Sequence, residues 1–152
     1  DVRPWAKLGE EITIEMLDAA LAATGQQIRQ GDAVLIRTGQ ERFTMTDPEY
    51  YTQPGMGRAG TLHLTRQGAT ILGTDAVGWD LPFRLMTQKF RETGDRSVLW
   101  DGHKAIVDKE AFIVQQMTNL GALPLSGFMV GFFPIKLARC SAAPARVVAF
   151  VE

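Results

Sequence analysis

Two side chains in the second half of the chain have the chemistry of a metal or proton-transfer site: His103 in the stretch WDGHKA and Gln115 in IVQQMTNL. An imidazole can bind a metal ion or transfer a proton near neutral pH. An amide oxygen can bind a hard cation, although it brings no charge. The spacing alone does not decide the matter, because His103 can equally be a half-buried, hydrogen-bonded residue at the exit of a loop. The other histidine, His63, is interpreted as structural.

The remaining composition excludes several kinds of site. Cys140 is the single cysteine, which excludes an intramolecular disulfide and a thiolate zinc cluster and favours a reducing, cytoplasmic location. Sixteen basic and seventeen acidic residues give a net charge of −1, without runs of like charge. We therefore expect neither a nucleic acid nor a membrane as partner. No apolar stretch reaches the roughly 18 residues that would span a bilayer.

The first half of the chain predicts alternating helices and strands. Residues 13–25 have apolar side chains at helical spacing behind Thr13, a good N-cap. Residues 33–39 and 69–76 are continuous apolar runs typical of buried strands, and residues 60–68 between them predict a short helix. This order of elements is typical of an α/β fold.

The second half is less regular. Residues 40–59 predict a long ordered loop, and residues 83–93 suggest a short helix. Residues 109–120 predict a helix that would carry Gln115. Residues 127–137 and 145–151 predict two further strands, separated by turn-forming residues.

Three residues of the predicted sheet have both a structural and a functional interpretation. Asp75 directly follows a buried strand, where sites of α/β sheets gather, but such a residue can also close a turn. Arg37 lies inside a buried strand and must pair with a carboxylate or face a cavity. Trp79 can belong to the core or to the wall of a pocket.

Seven stretches, in their order and spacing, resemble the cyclase-like metal-dependent hydrolases, the family of bacterial kynurenine formamidase and isatin hydrolase. The resemblance covers nearly the whole chain and is strongest in GDAVLIRTG and in the closing FFPIK and SAAPAR pieces. The stretches are EITIEMLDAAL, IRQGDAVLIRTG, YYTQPGMG, GATILGTDAVGWDLPF, WDGHKA, QMTNLGALP and GFMVGFFPIKLARCSAAPARVVAF. The resemblance implies an α/β fold with a mixed sheet and flanking helices, of the swivelling β/β/α type, in a single domain of residues 1–152.

The resemblance also implies a reaction. These enzymes hydrolyse an amide or lactam bond, in an N-formyl amide or a cyclic amide such as isatin, with water activated by zinc or manganese. Their HxGTHxDxP metal motif does not occur in this sequence. We therefore expect the chain to be the C-terminal portion of a longer protein, with a divalent metal site that is incomplete or absent in this portion alone.

Family members add a downstream histidine and a glutamate twelve residues later, and His103 and Gln115 fall at these two places. The resemblance thus implies that His103 is catalytic and binds metal, and that Gln115 is a metal ligand. A neutral glutamine offsets less charge than glutamate, which favours one bound metal ion over two.

The residues predicted to bind substrate are aromatic. Trp79 and Phe83 would form an apolar wall for a planar small molecule, and Tyr50 and Tyr51 would close over it. We expect the chain to form a homo-oligomer or to associate with its upstream segment. The alternative hypotheses are a non-catalytic, small-molecule-binding relative and a truncated fragment that has lost metal binding.

Overall fold

The chain divides into two compact units, Asp1–Leu120 and Gly121–Glu152, and the computed structural model describes residues 1–151. That residues 1–152 form a single domain stays a prediction. The strands and α-helices, in chain order, are β1 (Glu11–Ile12), α1 (Ile14–Ala22), β2 (Ala33–Ile36), β3 (Gly55–Met56), α2 (Arg58–Gln67), β4 (Ile71–Thr74), α3 (Phe83–Thr93), α4 (Asp101–Lys104), β5 (Phe112–Val114), β6 (Met129–Pro134) and β7 (Ala145–Phe150).

The centre of the first unit is a three-stranded parallel sheet of order β2-β4-β5. Ala33 pairs with Ile71, and Ile71 pairs with Phe112 on its other side. A second, two-stranded parallel pair joins β1 to β3. Because parallel strands end on the same side of a sheet, the segments that follow β4 and β5 begin close together.

The helices of the first unit pack apolar residues into one core. The Thr13 hydroxyl accepts the Met16 N–H at 3.3 Å and caps α1, which buries Leu17. The core cluster also contains Met56 of β3, Leu72 of β4 and Trp79 from the loop after β4. The loop after β4 is therefore fixed by packing as well as by the strand before it.

The second unit is built around an antiparallel ribbon. Met129 of β6 pairs with Phe150 of β7, and Pro134 pairs with Ala145. Met129, Phe133 and Phe150 are exposed apolar residues of this ribbon. Across residues 1–151, no helix is long and apolar enough to cross a membrane.

The predicted α/β class is confirmed, with parallel and antiparallel pairing both present. The helices predicted over 13–25, 60–68 and 83–93 correspond to α1, α2 and α3. Residues 40–59 contain two short 3₁₀ helices and the two residues of β3.

The prediction of a helix over residues 109–120 is wrong. Phe112–Val114 forms strand β5 instead, since these residues pair with β4 in a parallel register. Gln116 and Asn119 then adopt positive φ angles of 57° and 62°, which an α-helix excludes. The expected loop exit at His103 is also wrong, because His103 lies inside the short helix α4.

Candidate active site

A cavity of about 320 Å³ lies beyond the carboxyl ends of β4 and β5. Residues 76–84, which follow β4, form one wall, and Gln115, which follows β5, borders it. His103 of α4 also lines the cavity, as do Tyr51 and Gln53 from the segment before β3. The size is at the lower end of the range for small-molecule sites.

His103 is held by a buried carboxylate. Oδ1 of Asp80 accepts the backbone N–H of His103 at 3.0 Å, and Oδ2 contacts the ring nitrogen Nδ1. Asp80 is only 6 % exposed. An ionised carboxylate can only accept hydrogen bonds, so Nδ1 carries the ring proton. The neutral ring then has its lone pair on Nε2.

Gln115 supports the same tautomer from the other side of the ring. Its Oε1 accepts the backbone N–H of Trp79 at 3.2 Å, which fixes the orientation of the amide. The other end of this amide, the Gln115 nitrogen Nε2, lies 3.2 Å from Nε2 of His103. Since an amide NH₂ can only donate, the imidazole Nε2 must accept. The network runs from Trp79 through Gln115 and His103 to Asp80.

The segment that carries Gln115 is fixed to the end of β4. The Gln116 N–H donates to the Ala76 carbonyl at 3.0 Å, and the Met117 N–H donates to the Thr74 carbonyl at 3.0 Å. The positive φ of Gln116 turns the chain just after Gln115. Positive φ at a non-glycine residue carries strain and is enriched at functional sites.

Two glycines allow the backbone to approach Asp80 closely. A Cβ atom on Gly102 would lie 2.9 Å from Oδ1 of Asp80 and 2.5 Å from the Met56 carbonyl oxygen. A Cβ on Gly55 would lie 2.2 Å from the Asp80 carbonyl oxygen. The Met56 N–H also donates to the Trp79 carbonyl at 2.7 Å. A side chain at Gly102 would therefore displace the Met56 carbonyl or the Asp80 carboxylate, and a side chain at Gly55 would displace the Asp80 backbone.

The aromatic residues predicted to bind substrate divide into three groups. Trp79 borders the cavity but is 2 % exposed, and its Nε1–H donates to Thr61 Oγ1 at 2.9 Å, so it also belongs to the core. Phe83 and Tyr51 border the cavity. Tyr50 is not one of the residues that line it, and its ring packs edge-on against Tyr51 with centroids 5.1 Å apart.

Trp100 is an aromatic wall residue that the sequence does not single out. Its ring centroid lies 5.8 Å from that of Phe83, and both residues line the cavity. Phe83 is 64 % exposed and Trp100 46 %, so neither is needed to fill the core. Trp100 has a φ of 52° and directly precedes α4.

Asp80 is a second residue of the site that the sequence alone does not identify. Its partner His103 lies 23 residues further along the chain, so no local spacing connects them. The available signal is its position in the loop after β4, because polar residues at the carboxyl ends of parallel strands are candidates for a site.

The described residues supply only part of a metal site. Within residues 1–151, no group of three or more His, Cys, Asp or Glu side chains can hold a metal ion. His103 Nε2 and Gln115 Oε1 are two neutral donors. However, a histidine that donates its other ring N–H to a carboxylate is the usual arrangement of a metal ligand. The donor set therefore fits part of a divalent metal site and needs further ligands to complete it.

The two remaining polar residues of the predicted sheet have structural partners. Asp75 accepts the Thr38 N–H and hydroxyl at 2.7 Å and the N–H groups of Gly39 and Gln40 at 2.8 and 3.1 Å. These bonds close the turn after β2, so Asp75 has the structural role that was one of its two predicted interpretations. Nε of Arg37 donates to a carboxylate oxygen of Glu41 at 2.8 Å. Arg37 thus pairs with a carboxylate, which is one of the two alternatives predicted for it.

His63 lies away from the cavity wall, on α2. Its Nε2 lies 2.6 Å from Oδ1 of Asp18 on α1. This contact joins two helices and agrees with the structural interpretation.

The chain belongs to the cyclase family, because the family model described as "Putative cyclase" matches residues 1–81. The family predicted from the sequence is thereby confirmed. No curated protein matches the chain.

Solved structures share the fold. An isatin hydrolase bound to the product analogue thioisatinate matches 95 % of this chain at 19 % identity and a TM-score of 0.76. Isatin hydrolase A from Labrenzia aggregata, bound to benzyl benzoate, matches 93 % at 22 % identity and a TM-score of 0.69. A predicted metal-dependent hydrolase from Bacillus stearothermophilus matches 92 % at 20 % identity and a TM-score of 0.65. The chain spans 54, 54 and 57 % of the length of these three proteins.

Proposed function

We propose that this chain forms part of the active site of a metal-dependent hydrolase that cleaves an amide or lactam bond in a planar aromatic substrate. The observation that carries the proposal is the fixed imidazole of His103, whose Nδ1 is held by buried Asp80 and whose Nε2 meets Gln115 at the wall of the cavity. Family membership supports the same reaction class.

A bound divalent ion, zinc or manganese, would supply an activated water and polarise the substrate carbonyl. In this chain, Nε2 of His103 and Oε1 of Gln115 would contribute to its ligand set. Asp80 keeps the ring proton on Nδ1. The Nε2 lone pair, which accepts the Gln115 amide in the described structure, would bind the ion once this amide turns its oxygen toward the site. The two neutral donors favour a single ion, because a second one would need more negative charge nearby.

The walls of the cavity support an aromatic substrate. Phe83 and Trp100 line the cavity and are largely exposed, and Tyr51 borders it as well. Flat apolar faces bind planar rings through area burial and offset stacking. Two of the similar structures are isatin hydrolases, so a cyclic aromatic amide is the first substrate to test, followed by an aryl N-formyl amide.

The test is metal binding and turnover by the same preparation. Calorimetric titration with Mn²⁺ and Zn²⁺ should show binding near one equivalent, and the protein titrated must be a metal-free form that includes the remaining metal ligands. The metal-loaded protein should hydrolyse isatin to isatinate, followed by absorbance. A protein that binds neither metal would disprove the proposal.

A second measurement separates two roles of His103. A ligand nitrogen cannot also carry the proton that the leaving nitrogen needs, so the two roles exclude each other at Nε2. If His103→Ala lowers the affinity for the metal, Nε2 is a ligand. If the variant binds metal as tightly as the wild type but turns over poorly, Nε2 transfers a proton instead.

The non-catalytic alternative gives a different result in the same assay. A binding module would hold isatin or isatinate without hydrolysis, even with metal present. Retained binding of the aromatic ring after loss of metal affinity would favour this alternative.

Assembly and location belong to the same proposal. The exposed apolar residues Met129, Phe133 and Phe150 of the ribbon favour association with another copy of the chain or with an upstream segment. Light scattering of the purified protein would measure the molar mass. The lone Cys140 favours a cytoplasmic location, and a small molecule remains the expected binding partner.

A further inference from the structure

Trp100 combines an exposed aromatic residue with a backbone conformation that suits glycine. Its φ and ψ angles are 52° and 40°, in the left-handed region, which a bulky residue enters only at an energetic cost. Trp100 is 46 % exposed, whereas Trp79 is 2 % exposed, so core packing does not account for the tryptophan. Strain of this kind at a non-glycine residue is enriched at functional sites.

Three contacts fix Trp100 at the wall of the cavity. Its N–H donates to Sδ of Met86 at 3.3 Å, and its carbonyl accepts the Lys104 N–H at 2.9 Å. Its ring centroid lies 5.8 Å from that of Phe83. Trp100, Met86 and Phe83 all line the cavity. The strained residue is therefore held between α3, which carries Met86 and Phe83, and α4, which carries His103.

Met86 supports this conformation from a buried position outside the main core. It is 4 % exposed but does not belong to the core cluster of the first unit. Trp100 directly precedes α4, so its N–H has no acceptor within that helix. The Met86 sulfur supplies one, although a thioether is a weak acceptor.

We propose that Trp100 is a specificity-determining residue that stacks on the aromatic ring of the substrate, and that Met86 is the positioning residue that holds it there. The inference rests on the proposed function and deepens it, because it assigns the preference for planar aromatic amides over saturated ones to one ring of the wall. An indole gains from offset stacking on a flat ring beyond the area that it buries. Glycine would relieve the backbone strain but would remove this ring.

The test compares phenylglyoxylate with cyclohexylglyoxylate, which share the α-keto acid group and differ in the planarity of the ring. Neither contains an amide bond, so calorimetry measures binding without turnover. The protein is the metal-loaded form that includes the remaining metal ligands. The wild type should bind phenylglyoxylate more tightly, and Trp100→Gly should lower the ratio of the two affinities by about tenfold. An unchanged ratio would overturn the inference.

Stability separates the backbone strain from the loss of the ring. Trp100→Gly and Trp100→Ala both remove the indole, but only glycine adopts the left-handed conformation without strain. The urea midpoint of the glycine variant should therefore lie above that of the alanine variant. The reverse order would show that the backbone is unstrained, and the reason given for the tryptophan would be wrong.

Arg139→Gly is the matched control. Arg139 also has a positive φ, of 60°, but it is exposed and outside the cavity wall. The change relieves strain of the same kind, so the affinity ratio should keep its wild-type value. A lower ratio in this variant would assign the effect to backbone strain and contradict the role of the indole.

A double-mutant cycle tests the role of Met86. Met86→Leu keeps most of the apolar volume, so the fold tolerates it, but it removes the sulfur that accepts the Trp100 N–H. The single variant should lower the affinity ratio several-fold. In the Trp100→Gly background the same change should have no effect on the ratio, because the ring that Met86 positions is gone. No loss in the single variant, or an equal loss in both backgrounds, would exclude the positioning role.

Turnover distinguishes a failure of the inference from a failure of the proposed function. A wild type that hydrolyses isatin but binds the two glyoxylates equally overturns the inference alone. A wild type that binds metal and hydrolyses neither isatin nor an aryl N-formyl amide disproves the proposed function, and the inference that rests on it falls as well.

Discussion

The carboxylate of Asp80 holds His103 at two points, the backbone N–H at 3.0 Å from Oδ1 and the ring nitrogen Nδ1 beside Oδ2. One buried side chain thus sets both the position of α4 and the tautomer of the imidazole. Because Gln115 donates to Nε2 from the other side, every proton in this network has a single assigned place.

Asp80→Asn tests that assignment. The asparagine can still accept the His103 backbone N–H, but its NH₂ group would face Nδ1 and force the ring proton onto Nε2, against the amide of Gln115. We expect metal affinity to fall by about 10–100-fold, the usual effect of losing such a supporting contact. Calorimetry measures the affinity, and ¹⁵N NMR of the imidazole reports the tautomer directly.

Asp18→Asn is the control for this experiment, because Asp18 makes an Asp–His contact with His63 away from the cavity wall. It should leave metal affinity and the His103 tautomer unchanged. An Asp80→Asn protein with wild-type affinity and the Nδ1–H tautomer would contradict the role assigned to the carboxylate.

His103→Ala should lower stability as well as activity. The change leaves the Asp80 carboxylate buried without its ring partner, which costs about 1–3 kcal/mol. His63→Ala should cost less, because Asp18 remains accessible to water. Urea unfolding of both variants measures the free energies, and equal losses would show that the burial of Asp80 does not matter.

Gln115→Glu should strengthen binding of a divalent cation. The carboxylate adds a charge and a harder oxygen at the place of the amide, beside Nε2 of His103. Gln116→Glu is a matched control one residue further on, since Gln116 is exposed. Calorimetry with Mn²⁺ should show tighter binding for the first variant only, and an equal gain in both would indicate a general effect of charge.

Tyr51 and Tyr50 should differ in their effect on ligand binding. Tyr51→Ala removes a ring that borders the cavity, whereas Tyr50 contacts that ring but is not among the lining residues. We expect Tyr51→Ala to weaken binding of isatinate by about tenfold, as for loss of one aromatic contact of about 1.4 kcal/mol. Tyr50→Ala should change the affinity several-fold less, and the reverse order would place the ligand elsewhere.

Local patterns predicted a helix or strand correctly where the spacing of its apolar residues and the residues at its ends indicate the same element. The segment 109–120 failed because Phe112, Val114 and Met117 suit a helix as well as a strand by spacing. The choice depends on pairing with β4, a strand distant in sequence, and pairing of that kind leaves no local trace.

The candidate site was predicted in part, and by resemblance more than by spacing. His103, Gln115, Trp79, Phe83 and Tyr51 were proposed and do line one cavity. Asp80 was missed because its importance lies in a contact, that of a buried carboxylate with a distant imidazole. Such a contact cannot be derived from residue type alone.

Strand β5 is only three residues long and forms an edge of the described sheet. Gln115 directly follows this edge strand, whereas Asp80 is packed in the interior. A brief opening of the segment that follows β5 would separate the Gln115 amide from the imidazole and expose the Nε2 lone pair, while the Asp80 carboxylate stays in place.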